Sequence, residues 1–442
     1  MPASAADSAL YRRLFSDDET AALFTDSAEI RAMLLVEGAL ARVQGEIGLI
    51  PAEAAAFIDR SSREVQIDPS ALALETATNG VPVPALVTAF RKAMEAPDQA
   101  QYLHWGATSQ DIMDTALALR LRRVTALWEA RLVALLQALG RLAADHAELP
   151  MAARTYGQAA TPTSFGAVVA GWGQPLLRHR ARLAELAPGL ATVSLGGAAG
   201  TLAAMGPEGP AVRAALAKAL DLADPGQSWH SERDRIAGFA AWMAGLCGSL
   251  GKIGEDLILM AQSGIGEVAI AGAGGSSTMP QKQNPVGPSV LVALAHQTAG
   301  LSAMMQGAML HRQQRDGAAW FTEWLTLPQL CISTGRALAL ALDLAGRIAP
   351  VPQAMAHGLK DGYGLIHAEA LSFALARHLP RPEAQARIKA LCSEAAATQT
   401  PLPVLFARDF PDLDANGTAS LGTAPADARA FAALALAISA GA

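Results

Sequence analysis

Between Thr108 and Pro150 the chain has no proline and a single glycine, Gly140. Proline is the residue that most strongly interrupts a helix, and a run this long without one, rich in Leu, Ala and Arg, predicts one continuous helix. At 1.5 Å per residue it would span roughly 60 Å, several times the length of an average globular helix. Thr108 followed three residues later by Asp111 has the pattern of a capping box, with Asp standing in for Glu.

Helical periodicity continues along the rest of the chain, and strand signals are scarce. Residues 27–47 read as one amphipathic helix, with Ile30, Met33, Leu34, Leu40 and Val43 on its apolar face. Prolines 82 and 84 interrupt the pattern after it. Thr161 and Pro162 are expected to open a second long helix, as N-cap and first helical residue, closed by Pro188 and Gly189. A third is expected over about 231–263. Its stretch 236–262 carries only Lys252, Glu255 and Asp256 as charges, the composition of a helix buried on all sides. A fourth follows Pro285 and Pro288, and a fifth covers roughly 321–347. Beyond Arg347 prolines recur and helices shorten.

The expected fold is therefore all-α, in three helical domains: an N-terminal domain over 1–100, a central long five-helix bundle over 101–347, and a small C-terminal domain over 348–442. The chain is 51% hydrophobic and 17% charged. No unbroken apolar run approaches the roughly 18–20 residues of a membrane span, so no membrane association is expected. The apolar surplus points instead to burial between subunits.

A net charge of −6 without a basic cluster argues against nucleic acid as a partner. Cys247, Cys331 and Cys392 are scattered, with neither disulfide-framework nor zinc-ligand spacing. Met1, Pro2, Ala3 and Ser4 lack the basic and apolar regions of a secretory signal, and a cytoplasmic location is expected.

Three polar, small-residue-rich segments interrupt the apolar helices: 103–111, 154–162 and 274–285. In the first, Thr108 and Ser109 put two hydroxyls at a helix N-terminus, where free N–H groups and the positive dipole end favour a carboxylate. Plain capping explains them equally well. His104 lies beside them. In the second, Arg154 could fork a carboxylate, with Thr155 and Gln158 beside it, or could belong to an ordinary surface turn. The third has a mobile Gly/Ser backbone rich in N–H donors and hydroxyls, followed by Lys282 and Asn284. Such a loop can hold an anion, or present a serine whose alkoxide a nearby cation stabilises. Among the other histidines, His230 precedes a helix start and His311 sits near Arg312 and Arg315, while His146, His179, His296, His357 and His378 lie in helical runs.

These three segments, in this order, resemble the three signature regions of the fumarase/aspartase superfamily. The third carries the pattern G-S-S-x-M-P-x-K-x-N-P at every fixed position from Gly275 to Pro285. The likeness extends over essentially the whole chain. It implies a homotetramer with a twenty-helix core, in which three subunits each contribute one signature region to an active site. It also implies a shared chemistry: a proton is removed beside a carboxylate, and the resulting aci-carboxylate dianion is stabilised before a leaving group departs. The substrate would be a small polycarboxylate, with no metal or organic cofactor. By this resemblance Ser276 is the catalytic base, and Lys282 and Asn284 hold the carboxylate; His104, beside the Thr108 cluster, is expected to join them in catalysis. Thr108, Ser109, Arg154, Thr155, Tyr156, Gln158, Ser277, Met279 and Arg233 would contact substrate.

Within the superfamily, segments 196–202, 229–235, 248–252 and 322–328 resemble the branch of bacterial carboxymuconate cycloisomerases. Tyr156 stands where fumarases and the amino-acid and nucleotide lyases usually carry His, and Gln281 and Gln283 where many relatives have His and Arg. A cycloisomerase tolerates the loss of that His, because in the lactone-opening direction its leaving group is the substrate's own carboxylate, a stable anion. A fumarate-releasing lyase resembling adenylosuccinate lyase is the alternative. A serine hydrolase ranks low, since no G-x-S-x-G elbow surrounds Ser276.

Overall fold

The structure is a computed structural model and describes residues 4–275, 278–413 and 420–439. In chain order its main elements begin with helix α1 (Asp26–Ile47), α2 (Ala52–Glu64) and α3 (Val83–Met94). The long α4 (Ser109–Asp145) follows, then a hairpin of β1 (Pro150–Thr155) and β2 (Gln158–Ser164), and α5 (Phe165–Leu190). Next come α6 (Gly209–Leu220), α7 (Asp234–Met260), β3 (Val268–Ile270), β4 (Gly274–Gly275) and β5 (Gln283–Asn284). After α8 (Val286–Gly307) and α9 (Gly317–Ala345) come β6 (Ile348–Pro350), α10 (Arg381–Thr398), α11 (Leu402–Asp409) and α12 (Ala424–Leu436).

The chain packs as two compact units, each made of three segments. Unit 1 holds Met1–Arg131, His179–Gly248 and Ala293–Ala339; unit 2 holds Leu132–Arg178, Ser249–Val292 and Leu340–Ala442. The cut passes through α4, α5, α7, α8 and α9, so each of the five long helices contributes to both units.

The core of unit 1 forms around α1, whose Met33, Leu34, Val36, Leu40 and Val43 are buried against Leu86 and Phe90 of α3, Met113 of α4 and Leu216 of α6. Thr25 caps α1 by accepting from the Ala28 N–H, and Gly48 closes it in the left-handed region. Trp128, Phe239 and Trp242 form a second buried group, with ring centroids 5.6–6.1 Å apart. Each such side chain contributes about 1.5–3 kcal/mol through the surface it removes from water. In unit 2, Leu371, Leu375, Ile388, Leu391, Leu405 and Phe406 form a separate apolar cluster.

α7 and α9 are long and apolar enough to cross a membrane by length and composition. In each, 61% of the most apolar window is buried inside the molecule, which is how a core helix is placed. One expected helix start is corrected. Thr161 and Pro162 lie in strand β2, paired antiparallel with β1, and α5 begins at Phe165. The capping contact there belongs to Ser164, whose Oγ accepts from the Ala167 N–H at 3.2 Å. The strand wins because Pro162 lies opposite Ala152 in the ladder, on an edge that needs no N–H from it.

Candidate active site

In unit 1 the polar residues converge on the start of α4. The Thr108 N–H donates to Asp111 Oδ2 at 2.9 Å, the backward half of the expected capping box. Asp111 is fully buried and accepts three more hydrogen bonds: Oδ1 from the Gly196 N–H at 2.7 Å, Oδ2 from the Gly197 N–H at 2.9 Å, and Oδ1 from His230 Nε2 at 2.8 Å. One carboxylate thus ties the helix start, the glycine loop at 196–197 and an imidazole together.

His104, in the left-handed region at φ 63°, sets Nδ1 2.6 Å from the buried Glu37 Oε1. Burial opposes its charged form. The charge of Glu37, the hydrogen bond to it and the charge of Asp111 outweigh that, so the imidazole titrates above its ordinary value.

One turn further along α4, Asp114 holds Arg233 together with Glu323 of α9. The guanidinium donates from Nη1 to Asp114 Oδ2 at 2.7 Å and from Nε to Glu323 Oε1 at 2.7 Å, and Nη2 reaches both carboxylates. It also lies over the Trp229 ring at 4.8 Å. Arg233 was expected to contact substrate. Its side chain is 1% exposed and its donors are committed to the protein's own carboxylates, so its place is structural. Burial raises the Glu323 pKa, aided by the Asp114 charge and opposed by Arg233.

Two groups beside this network are left with unused polar atoms. Arg315 donates from Nε to Gln110 Oε1 at 2.7 Å, while its Nη2 is buried with no partner among the described residues. Both ring nitrogens of His311 are buried and unpartnered in the same sense. Burial, then the charge of Arg233, lowers the His311 pKa. A buried donor without a partner marks a place that a ligand would satisfy.

In unit 2, β1 and β2 end in a two-residue turn between the paired Thr155 and Gln158. Tyr156 at φ 54° and Gly157 at φ 75° are both left-handed, which matches the twist of a hairpin and suits glycine far better than tyrosine. Tyr156 is fully exposed. Arg154 does fork a carboxylate as its sequence setting suggested, but the partner is Glu267, at the entry to β3.

The third segment is also a hairpin. Gly274 pairs with Asn284 and Gly275 with Gln283, so Lys282 and Asn284 follow each other out of the loop at its base. Lys282 and Met279 are exposed, and Asn284 is half-buried. Ser276 and Ser277 lie outside the described residues.

Of the expected site residues, unit 1 thus gathers His104, Thr108 and Ser109 around one helix start, with Arg233 in the adjoining network. Unit 2 carries Arg154, Thr155, Tyr156 and Gln158 on one hairpin and Met279, Lys282 and Asn284 on another. Sequence reasoning passed over Glu37, Gln110, Asp111, Asp114, Glu267 and Glu323 as functional residues. The available signal was the spacing of Asp114, which lies one turn on from both Gln110 and Asp111 along α4.

Comparison with known proteins agrees with this architecture. The family model described as lyase matches residues 11–300. A 3-carboxy-cis,cis-muconate cycloisomerase of Pseudomonas aeruginosa is 42% identical over 88% of this chain and 86% of that protein. Among solved structures, the 3-carboxy-cis,cis-muconate lactonizing enzyme from Pseudomonas putida superposes with a TM-score of 0.91 at 36% identity, covering 97% of this chain and 98% of that one. A fumarate lyase from Mesorhizobium sp. BNC1 gives 0.88 at 34% identity, covering 95% and 98%. The chain belongs to the lyase family of the fumarase/aspartase superfamily, and it is an enzyme of that class.

Proposed function

We propose that this chain is a 3-carboxy-cis,cis-muconate cycloisomerase, closing its substrate to a carboxymuconolactone in the catabolism of protocatechuate. The observation that carries the reading beyond the superfamily is Tyr156 at the tip of the second signature hairpin. No imidazole stands there to protonate a nitrogen or oxygen leaving group. A reaction whose leaving group is a carboxylate needs no strong acid at that point.

In the lactonising direction one substrate carboxylate adds across a double bond. Charge accumulates on the carboxylate beside the carbon that is then protonated. Lys282, Asn284 and nearby N–H groups stabilise it, and Ser276 delivers the proton. Thr108 and Ser109 receive a carboxylate at the start of α4, and the unused atoms of Arg315 and His311 suit another. Local cations such as Lys282 and Arg315 are needed because the substrate is a trianion and the chain carries −6. The active enzyme is a homotetramer with its long helices joined in a common core, acting in the cytoplasm.

The test is direct. Purified protein mixed with 3-carboxy-cis,cis-muconate should remove the ultraviolet absorbance of the diene, and Ser276→Ala should abolish the change. Loss of one oxyanion contact typically costs about 2.7–4 kcal/mol of barrier, so Lys282→Gln should slow turnover by a factor on the order of 10²–10³. The second reading, a fumarate-releasing lyase, draws on the likeness to the Mesorhizobium enzyme. Fumarate release from adenylosuccinate, with no effect on the muconate, would favour it and overturn the first.

A further inference from the structure

Tyr156 stands at the tip of its hairpin in unit 2, and unit 1 has a histidine of its own whose ring is held by a buried carboxylate. His230 is 3% exposed, and its Nε2 is bound to Asp111 Oδ1 at 2.8 Å. Asp111 in turn is fixed by the backbone N–H groups of Thr108, Gly196 and Gly197. A buried carboxylate held by four donors cannot turn away, so it fixes the plane of the ring and keeps a proton on Nε2. Asp111 takes Nε2, which leaves Nδ1 for a ligand. A carboxylate that orients an imidazole through one nitrogen, so that the other can act, is the arrangement on which acid–base triads are built.

The backbone of His230 is linked through one glutamine to a guanidinium with an unused donor. Gln110 Nε2 donates to the His230 carbonyl oxygen at 2.9 Å, and Gln110 Oε1 accepts from Arg315 Nε at 2.7 Å. Arg315 Nη2 is the buried atom that lacks a partner. One glutamine thus connects the backbone of His230 to a guanidinium with a donor to spare.

We propose that His230, oriented by Asp111, is a catalytic residue of this enzyme. Its Nδ1–H donates a hydrogen bond to a substrate carboxylate as negative charge grows on it, and Asp111 is the positioning residue that makes this possible. No bond to His230 forms or breaks. Because Asp111 already accepts from Nε2, a donor at Nδ1 requires the ring to act as the imidazolium paired with the Asp111 carboxylate, and that donor is in place before charge develops. The inference rests on the cycloisomerase reading for its substrate, but not for its geometry.

Two measurements on the full-length protein test it. In the first, His230→Gln should lower kcat on 3-carboxy-cis,cis-muconate by a factor on the order of 10² with a smaller change in KM. Asp111→Asn should lower it comparably. The double variant should be no slower than the slower single one, because both remove the same contact. Exogenous imidazole should restore part of the turnover of His230→Ala. A His230→Gln enzyme within threefold of the parent kcat overturns the proposal.

In the second, the ring nitrogens of His230 are followed by nitrogen NMR while tricarballylate, an unreactive tricarboxylate, is added. The Nδ1 resonance should shift on binding, and its failure to move at saturation overturns the proposal even if a variant misfolds. A shift in a protein that does not turn over the muconate would leave the proposal standing and remove the cycloisomerase reading instead.

Discussion

Arg154 grips Glu267 through two parallel contacts, Nη1 to Oε2 at 2.8 Å and Nη2 to Oε1 at 2.9 Å. The carboxylate is 1% exposed and the guanidinium 30%. Glu267 also holds backbone on both sides, its N–H donating to the Met260 carbonyl and its carbonyl accepting from the Val351 N–H. The second signature hairpin is therefore anchored to the stretch that leads into the serine-bearing hairpin.

Removing Arg154 strands a carboxylate that water cannot fully reach. Arg154→Ala is expected to cost about 2–3 kcal/mol, the scale of a lost charge-assisted hydrogen-bond pair. Urea unfolding of parent and variant measures it. Arg154→Ala in a Glu267→Gln background should cost clearly less, since no charge is then left behind; equal costs would contradict the pairing.

Arg233 presents a stricter case, because both of its carboxylates and the guanidinium itself are nearly inaccessible. A lysine carries the charge but cannot fork two carboxylates at once. Arg233→Met, which removes the charge and strands both carboxylates, should lose about 3–5 kcal/mol, the cost of breaking a buried ion pair, and Arg233→Lys should lose less. Replacement within 1 kcal/mol of the parent would show that the network contributes little to stability.

The pair of His104 and Glu37 makes stability depend on pH in a defined direction. The folded chain holds the His104 proton more tightly than the unfolded chain does. Its contribution is therefore fully present below the ordinary imidazole value of 6.5 and is lost as pH rises through the raised folded value. Thermal melting between pH 5.5 and 8.5 should show the parent losing more stability with rising pH than His104→Gln. Parallel curves would rule the coupling out.

Tyr156 trades backbone strain for an exposed ring. A non-glycine residue in the left-handed region costs about 1–2 kcal/mol, and the side chain recovers nothing from packing in the single chain. Tyr156→Gly should raise stability by about 0.5–1 kcal/mol after the entropy of glycine is counted. It should also lower turnover, because the hairpin tip is a proposed substrate contact. A more stable variant with unchanged kcat would show the ring to be dispensable.

The elements that could be read along the chain are those governed by local chemistry. α4 follows from a proline-free run and a capping pattern, and α7 from a nearly uncharged one. The family follows from the spacing of Ser276, Lys282 and Asn284, because a loop motif is a contiguous string. Local rules failed at Thr161 and Pro162, where cap chemistry was outweighed by pairing with β1, a partner that only the folded chain supplies. The fate of Arg233 was equally out of reach. Whether an arginine faces a ligand or a pair of carboxylates depends on Asp114 and Glu323, which lie 119 and 90 residues away in sequence. Long-range electrostatics of this kind has no periodicity and no spacing. It exists only once helices from distant parts of the chain have packed and excluded water, so that each buried charge must find its counterpart.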